Sequence, residues 1–275
     1  MPTISADIII VNYLTGDLVA HAIQRLYADD FNFLVYDNSG EVQLEPSNQI
    51  ALISSGINDY YSKANNICFG MCSADYTLLL NPDVLLDSAD LRTMIARLAE
   101  IPQAWALAPR LLNPDGTDQN YLHGYPTSRA LLADRFPPLR RIFRGEYRNY
   151  VCAEVDLKLD QWIQQPPAAC LLLKRRAVGN QLFDETFRLF FNDADLALRM
   201  RKHGAVWYAG SITAIHEKGA SLARANIAHP FSMSVEYDRS LMHFAKKHRL
   251  NGWRFLVATV RIRRWLGLAL MRLHA

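Results

Sequence analysis

The chain has 275 residues, half of them hydrophobic, with 30 Lys and Arg against 27 Asp and Glu. This composition excludes a disordered chain and a coiled coil, and it supplies enough apolar material for one α/β domain or a domain with an appendage. The four cysteines form no CxxC pair and no paired cluster with histidine, so neither a disulfide scaffold nor a zinc site is expected. The first residues lack the charged and long apolar regions of a signal peptide, and no stretch reaches the roughly 18 uninterrupted apolar residues of a membrane span. These features predict a reduced, cytoplasmic protein.

The first 110 residues alternate short apolar runs with amphipathic segments. Strands are predicted at Asp7–Asn12, Phe31–Tyr36, Gln49–Ser54, Tyr76–Leu80 and Ala104–Pro109, and helices at Gly16–Tyr27, Tyr60–Ser73 and Ser88–Glu100. This alternation predicts an α/β fold with a Rossmann-like, mostly parallel sheet and helices on both faces. Ligands of such sheets bind at the carboxyl ends of the strands, which here carry Asn12, Asp37 and the Asn81-Pro82-Asp83 turn.

The second half of the chain is less regular. Residues 113–165 are predicted to form a loop-rich insertion, followed by an apolar strand at 168–174. A helix is predicted from Asn192 to about His203, ended by Gly204, and two short strands at Ala205–Tyr208 and Ile212–Ile215. The last of these strands ends at His216.

The C-terminal tail separates positive charge from negative charge. All 27 acidic residues lie at or before Asp238, and nine Lys and Arg but no acid follow it. At about 100° per residue, four arginines fall in a sector about 80° wide: Arg254, Arg261, Arg264 and Arg272. Apolar residues cover much of the remainder: Phe255, Leu256, Val260, Ile262, Leu266, Leu270 and Leu273. Together with Trp253 and Trp265, which suit the headgroup region, this predicts a basic amphipathic helix over 251–275 that lies on an anionic membrane, with no nucleic acid partner. The alternative is a terminal helix that packs on the protein and exposes a solvated basic stripe.

The polar residues at the strand ends could bind a diphosphate through a cation. The chain has neither a GxGxxG after the first strand nor a GxxxxGK[ST] or GxSxG motif, so dinucleotide, P-loop and α/β-hydrolase chemistry are unsupported. Asp83 could hold Mg²⁺ or Mn²⁺, although Asn-Pro-Asp is also an ordinary turn sequence. Asp37 could accept a hydrogen bond from the imide N–H of uracil or thymine, although an Asx-turn explains it equally well.

Two further candidates come late in the chain. Asp193 stands where a helix N-cap belongs, and Asp195 falls in the first turn, where the helix dipole favours anions. One of these carboxylates could instead be a general base that deprotonates an acceptor hydroxyl. His216 at a strand end is either a structural histidine or a metal ligand that favours Mn²⁺.

The order of these segments resembles the family 2 inverting glycosyltransferases, in particular the bacterial rhamnosyltransferase-like branch that uses dTDP-L-rhamnose. The matching stretches are IIIVNY (8–13), VYDNSG (35–40), ANN (64–66), YTLLLNPDVLL (76–86), AACLLLKRRA (168–177), FDETFRLFFNDADLALRMRKHG (183–204) and HEKGAS (216–221). The resemblance implies a GT-A domain over residues 1–230, with 113–165 as an insertion on the acceptor side. Residues 231–275 would be a separate basic helical region.

The resemblance also implies roles for single residues. Asp193 would be the catalytic base, and Asp83 and His216 would hold Mg²⁺ or Mn²⁺. The nucleotide sugar would be bound by Asn12, Asp37, Lys63, Asn66 and Asn81. The chain departs from the family pattern at Asn81 and Asn192, where carboxylates are usual, and at Tyr60, where glycine is usual.

The implied activity is inverting transfer of a sugar from a dTDP- or UDP-sugar, with L-rhamnose favoured, to a polyprenyl-diphosphate-linked saccharide. This would take place at the inner face of the plasma membrane in the synthesis of a bacterial surface polysaccharide such as O-antigen. Two alternatives remain. Asn81 and Asn192 would suit a catalytically inactive, membrane-tethered GT-A-like binding module. A nucleotidyltransferase would need a glycine-rich basic loop where this chain has residues 12–16, which contain one glycine and no Lys or Arg.

Overall fold

The computed structural model describes residues 5–217, 219 and 230–273, and it describes the side chains of residues 233–266 within the last range. Part of the HEKGAS stretch (Lys218, Ala220 and Ser221) lies outside this description. So do the side chains of Leu270, Arg272 and Leu273, on which part of the tail prediction rests.

The N-terminal half forms parallel strands joined by helices. The strands β1 (Ala6–Asn12), β2 (Phe31–Asp37), β3 (Ile50–Ile53) and β4 (Tyr76–Leu80) lie in the order β3-β2-β1-β4. The helices α1 (Gly16–Leu26) and α2 (Tyr60–Met71) connect them, and α3 (Ser88–Ala99) follows β4 and the short strand β5 (Val84–Leu85). These elements match the predicted ones to within a few residues. The register sets Asn12 opposite Asp37 at the carboxyl edge of the sheet.

The second half of the sheet is mixed rather than parallel. It contains β6 (Ala104–Leu112), β7 (Gln161–Ile163), β8 (Cys170–Lys174) and β9 (Ala205–His216). Strand β8 lies antiparallel between β4 and β6, and β9 runs parallel to β6 but antiparallel to β5 and β7. The predicted mostly parallel order therefore holds for β1 to β4 and for β6 and β9, which all run in one direction, whereas β5, β7 and β8 run in the opposite direction. Apolar runs such as Leu171–Leu173 look the same in either direction, because a strand buried on both faces is apolar throughout.

Strand β9 is continuous where the sequence predicts two strands. Its register to β6 passes from Ala209, opposite Pro109, directly to Thr213, opposite Arg110. Residues 210–212 therefore form a bulge that leaves the direction of the strand unbroken, which carries His216 to the carboxyl edge.

Helices cover both faces of the sheet, as predicted. Along β1, Ile8 and Ile10 pack with α1 and α3 on one face, and Ile9 and Val11 pack with α2 on the other. The second face also receives α7 (Asn192–Met200), through Leu196 and Met200. Successive side chains of a strand point to opposite faces, so this alternation is expected for a strand that helices cover on both faces.

A third core joins the insertion to the C-terminal helices. The predicted loop-rich segment contains α4 (Ser128–Arg135), a 3₁₀ turn at Pro137–Arg140 and α5 (Arg144–Tyr150), and α6 (Arg175–Val178) follows β8. The tail forms α8 (Pro230–Lys247) and α9 (Trp253–Leu273). These two helices pack on α4 and on Phe187 and Phe191 beside α7. Two arginines, Arg135 of α4 and Arg263 of α9, bind the buried carboxylate of Asp238 on α8.

The helix α9 therefore has one inward and one outward face. Leu256 and Val260, which the sequence places toward a membrane, are fully buried in the third core, so the prediction is wrong for them and the packed-helix alternative holds for that side. The outward face exposes Phe255 and Trp265 (68% each), Ile262 (59%) and Leu266 (49%). None of the helices in the described part of the chain is both long and apolar enough to cross a bilayer.

Candidate active site

The ends of β1 and β2 form a tightly bonded turn. Asn12 is fully buried; its Nδ2 donates to Asp37 Oδ1 (2.9 Å) and Ser39 Oγ (3.0 Å), and its Oδ1 accepts from Thr15 Oγ1 (2.8 Å). The carboxylate of Asp37 also accepts from the N–H groups of Ser39, Gly40 and Val42. Burial raises the pKa of the Asp37 carboxyl, but these hydrogen bonds outweigh it and hold that pKa below its usual value. The Asx-turn interpretation thus describes the local geometry, and a contact between Asp37 and a base stays a prediction.

The α2 side of the cleft is organised by a residue that the sequence analysis missed. The carboxylate of Asp59 accepts from Tyr36 Oη (2.5 Å), Ser55 Oγ (2.5 Å) and Lys63 Nζ (2.6 Å). The hydrogen bond from Lys63, followed by the two hydroxyl groups, lowers the pKa of the Asp59 carboxyl to about 2. Lys63, the predicted donor-site residue, is therefore held by a fixed anion with about half of its side chain exposed.

Asn66 ties α2 to the segment that precedes α7. Its Nδ2 donates to the carbonyl oxygen of Phe183 (2.9 Å) and to Glu185 Oε1 (3.0 Å), and its Oδ1 accepts from the N–H of Phe183 (2.8 Å). All three partners are protein groups. A direct contact of Asn66 with the nucleotide sugar stays a prediction, and this geometry supports an indirect role through the loop.

Asp83 and His216 meet at the carboxyl edge of the sheet. Val84 pairs with His216 in the β5–β9 ladder, and His216 Nε2 lies 3.4 Å from Asp83 Oδ1. Both side chains are about 95% buried. Asn81 begins the turn: its N–H donates to the carbonyl oxygen of Ala169 (2.8 Å), and its carbonyl oxygen accepts from the N–H of Val84 (3.0 Å). The predicted pair is therefore in contact, with Asn81 two residues away.

This pair fits a divalent cation as a partial ligand set. Among the described residues no group of three or more His, Cys, Asp and Glu side chains could hold a metal. Mg²⁺ and Mn²⁺, however, are commonly held by one or two protein ligands together with substrate phosphates and water. A carboxylate oxygen and an imidazole nitrogen that face each other match that donor set, and the nitrogen favours Mn²⁺.

Asp193 lies in the first turn of α7. The helix begins at Asn192, so Asp193 is its second residue rather than the N-cap, and Phe191 takes the cap position. Phe191 has φ +66°, a left-handed conformation that a bulky residue rarely adopts, and it is held there by aromatic contacts with Tyr237 and Phe244. Burial raises the pKa of the Asp193 carboxyl, against the opposing effect of a hydrogen bond from the N–H of Ala194. A raised pKa makes this carboxylate a stronger base than an ordinary aspartate.

Tyr61 links the two halves of the site. Burial raises the pKa of its phenol most, and the charges of the Asp193 and Asp83 carboxylates raise it further, so both acids lie within electrostatic range of this ring. The hydroxyl of Tyr61 donates to the carbonyl oxygen of Ala168 (3.1 Å), beside the turn at Asn81. The predicted base and the predicted cation ligand Asp83 therefore both act on the charge of this one side chain.

The insertion supplies the remaining wall. Gln165 pairs with His123 in an isolated β-bridge, and both side chains oppose the effect of burial on the pKa of the Asp193 carboxyl. Gln119 contacts His216: its Oε1 lies 3.1 Å from His216 Nδ1, and its Nε2 donates to the carbonyl oxygen of His216 (2.7 Å). No local sequence signal marks these residues, because their approach depends on how the insertion folds back.

Asp195 has a structural role and binds neighbouring helices. It is fully buried, and its carboxylate binds Lys247 Nζ (2.6 Å), His248 Nε2 (2.8 Å) and Arg199 Nε (2.9 Å). Burial alone would raise the pKa of the Asp195 carboxyl, but the hydrogen bonds from His248, Lys247 and Arg199 hold it below the usual value. Of the two carboxylates predicted at the start of this helix, Asp193 faces the site and Asp195 anchors the helix to α8.

Comparisons with known proteins find similarity to glycosyltransferases. The chain is 26% identical over 194 residues to N-acetylglucosaminyl-diphospho-decaprenol L-rhamnosyltransferase from two strains of Mycobacterium tuberculosis, a match that covers 65% of this chain and 57% of that protein. The chain thus spans little more than half the length of these curated relatives. No family model matches the chain.

Solved structures confirm the fold. A mannosyltransferase from Pyrobaculum calidifontis, in complex with GDP-Man and Mn²⁺, has a TM-score of 0.53 at 12% identity over 90% of this chain and 65% of that one. A structure of GalNAc-T7 with UDP, GalNAc and Mn²⁺ has a TM-score of 0.52 at 9% identity over 77% of this chain and 43% of that one. Identities this low show the fold alone, and that fold is the predicted GT-A fold.

Proposed function

We propose that this chain, a GT-A protein that fits the family 2 glycosyltransferases, is an inverting transferase that uses a nucleotide sugar. The observation that carries the proposal is the contact of Asp83 with His216 at the carboxyl edge of the sheet, with His216 Nε2 3.4 Å from Asp83 Oδ1. Asp193, a carboxylate with a raised pKa, lies within electrostatic range of Tyr61, as Asp83 does. A base for an acceptor and a cation site for a diphosphate are the two elements that the reaction needs.

Donor binding is assigned to the strand ends. Asp83 and His216 would hold Mg²⁺ or Mn²⁺, which would neutralise the charge that develops on the leaving diphosphate. Asn81 and Lys63 border this edge and would contact the nucleotide sugar directly. The side chains of Asn12 and Asn66 form hydrogen bonds with other protein groups. They would therefore act indirectly, Asn12 by shaping the β1–β2 turn and Asn66 by shaping the loop before α7.

Asp193 would act as the general base. It would take the proton of an acceptor hydroxyl while that oxygen attacks the anomeric carbon from the side opposite the diphosphate. The bond between the anomeric carbon and the diphosphate oxygen breaks with its electron pair on the leaving group. One displacement inverts the configuration at this carbon.

The mycobacterial relative suggests the substrates. Its name describes transfer of L-rhamnose to a lipid-linked N-acetylglucosaminyl diphosphate. For this chain we propose transfer of L-rhamnose from dTDP-L-rhamnose to a polyprenyl-diphosphate-linked saccharide in bacterial surface polysaccharide synthesis. The site would then lie at the inner face of the plasma membrane, with the protein bound peripherally.

The outward face of α9 supports contact with an anionic membrane. Its exposed apolar side chains, described above, are flanked by Arg254 and Arg261. A cavity of about 770 Å³ beside the start of α9 is lined by Lys246, Arg249 and Arg254 together with Asp184, whose carboxylate binds Lys247. Each Lys or Arg near an anionic surface contributes roughly 1 kcal/mol, and exposed Trp and Phe favour the interface.

Thermal shift with a panel of nucleotide sugars tests the donor proposal. A donor at 100 times its Kd stabilises the folded state by about 2.7 kcal/mol, which raises Tm by roughly 5–10 °C at 2–4 °C per kcal/mol. We expect the shift to require Mn²⁺ and to be lost in Asp83→Ala. Asp87→Asn is the matched control, because Asp87 is half exposed and pairs only with Arg25 among the described residues. A full shift in Asp83→Ala, or none with any donor in the wild type, contradicts the proposal.

Vesicle binding tests the membrane proposal. Deleting α9 is unsuitable, because Leu256 and Val260 complete the third core. Phe255→Ser combined with Trp265→Ser should instead weaken partitioning into vesicles that contain phosphatidylglycerol by about tenfold or more, which is about 1.4 kcal/mol. Leu159→Ser is the control, because Leu159 is 59% exposed on the body of the protein. Equal binding by all three proteins contradicts the role of this face.

A further inference from the structure

Gln119 contacts both the imidazole ring and the backbone carbonyl oxygen of His216. These contacts distinguish the nitrogen of its side-chain amide from the oxygen. One of them lies 2.7 Å from the carbonyl oxygen of His216, and a carbonyl oxygen only accepts. The atom that faces it must therefore be Nε2, which donates. The same nitrogen donates to Asn113 Oδ1 (2.5 Å), on the hairpin that carries Gln119. The orientation of this amide is thus set by its partners.

The position of the proton on His216 follows from that orientation. Gln119 Oε1 lies 3.1 Å from His216 Nδ1, and an amide oxygen has no proton to give. A hydrogen bond forms only if His216 Nδ1 carries the proton. In the neutral ring the lone pair then lies on Nε2, the nitrogen 3.4 Å from Asp83 Oδ1.

This tautomer sets a lone pair against a carboxylate oxygen. In the neutral ring these two acceptors repel at that distance unless a metal cation lies between them, whereas protonation of the ring at Nε2 would also join them. Without Gln119, the neutral ring would relieve the repulsion by moving its proton to Nε2 and donating to Asp83. That tautomer has no lone pair at the position that faces the carboxylate.

We infer that Gln119 is a positioning residue that holds His216 in the tautomer able to ligate a divalent cation together with Asp83. Nothing in the sequence marks it, since it lies 97 residues from His216. The role rests on the proposed function, because it presupposes the cation site. The hydrogen bond from a ligating histidine to such a partner is commonly worth 10- to 100-fold in metal affinity.

The local structure holds Gln119 rigidly enough for this role. Its side chain is 7% exposed, and its N–H donates to the carbonyl oxygen of Leu111 (2.9 Å). The hairpin is closed by the Leu112–Asp118 bridge, and the ring of Tyr121 lies 5.4 Å from that of His216. His216 is therefore held by hydrogen bonds at its ring Nδ1 and at its backbone carbonyl oxygen, and by the neighbouring ring of Tyr121.

Nitrogen NMR of the metal-free protein tests the tautomer directly. With ¹⁵N-labelled histidine, His216 is assigned from the signals lost in His216→Gln. In the neutral ring of the wild type the proton should lie on Nδ1, and in Gln119→Met it should lie on Nε2. Gln119→Glu keeps an acceptor opposite Nδ1 and should keep the wild-type tautomer. An Nε2–H tautomer in the wild type overturns the inference, whatever the fate of the variants.

Titration with Mn²⁺ alone, followed by electron paramagnetic resonance of the free ion, tests the consequence. Affinity should fall 10- to 100-fold in Gln119→Met and change less than threefold in Asn113→Ala. The latter breaks the same hairpin contact but leaves His216 untouched. Equal affinity in Gln119→Met and the wild type overturns the inference. Absence of Mn²⁺ binding in the wild type overturns the proposed cation site with it, whereas failure of the tautomer alone refutes only the role of Gln119.

Discussion

Asp193 and Asp195 lie two residues apart on α7, and the structure predicts opposite effects when each is changed to Asn. Asp195 is fully buried among Arg199, Lys247 and His248, which hold the pKa of its carboxyl below the usual value. Asp193 faces the cleft, and burial raises the pKa of its carboxyl. A lowered pKa means that the charged form stabilises the folded state, and a raised pKa means that it costs stability.

The expected loss in Asp195→Asn follows from its partners. Breaking a buried ion pair by removing one member costs about 3–5 kcal/mol. Arg199 and Lys247 retain 31% and 28% of their side-chain exposure and Lys247 keeps Asp184 as a partner, so the low end applies. A loss of about 3 kcal/mol lowers Tm by roughly 6–12 °C at 2–4 °C per kcal/mol. Asp193→Asn should leave Tm unchanged or raise it.

Calorimetry at pH 7 and at lower pH provides the assay. Because the folded-state pKa of Asp195 is lowered, its stabilisation is fully present above the unfolded pKa of about 3.9 and is lost as the pH falls through the folded value. The difference in Tm between wild type and Asp195→Asn should therefore persist at pH 5 and shrink below about pH 4. Equal losses in the two variants at pH 7, or a difference that does not depend on pH, would refute the assignment of roles on α7.

Three further predictions concern activity and packing. In a plot of transfer rate against pH, the rate should fall on the acidic side with an apparent pKa above the usual aspartate value of about 3.9, because the base is protonated as the pH falls through its raised pKa. An acidic pKa near the usual aspartate value counts against Asp193 as the base. Leu256→Ala should cost about 2–5 kcal/mol in denaturant unfolding and Phe255→Ala less than about 1, since only Leu256 is buried; equal costs would mean that α9 packs otherwise. Gly204→Ala should cost roughly 1–3 kcal/mol, because φ is +144° and a Cβ would lie 2.2 Å from the carbonyl oxygen of Gln103, whereas Gly145→Ala, with nothing within 4 Å, should cost nothing.

The parallel half of the sheet was predictable from local patterns. The runs at 6–12, 31–37 and 76–80 each contain three or four consecutive apolar residues and are followed by polar turns, which is the pattern of strands buried on both faces. Their carboxyl ends then meet at one edge by the rules of parallel sheets, so Asp37 and Asp83 were found as edge residues without a structure.

The mixed half was not predictable in the same way. Strand β8 follows an insertion of about fifty residues, and nothing in its apolar sequence says from which edge the chain enters. The helices α4 and α5 lie in a segment with irregular periodicity, and they are stabilised by α8 and α9 from the far end of the chain. Tertiary packing rather than local propensity determines them.

The candidate site was likewise predictable from local sequence patterns only in part. Asp193 and His216 stand in recognisable segments, but the sequence could not say that Asp195 would turn away from the cleft to bind Lys247. Gln119, His123 and Gln165 come from the insertion, and their contacts depend on its fold. The tail shows a related limit: α9 is apolar on two sides, and only the structure separates Leu256, which is buried, from Phe255, which is exposed.

The most direct test of the central claim is the product of one transfer reaction. The wild type and Asp193→Asn are each incubated with dTDP-L-rhamnose, Mn²⁺ and a polyprenyl-diphosphate-linked N-acetylglucosamine. The anomeric configuration of the product is then read by proton NMR. We predict a rhamnosylated lipid of inverted configuration from the wild type and none from Asp193→Asn, which should still bind the donor. Retained configuration, or transfer by Asp193→Asn at a rate near that of the wild type, would contradict an inverting reaction with Asp193 as its base.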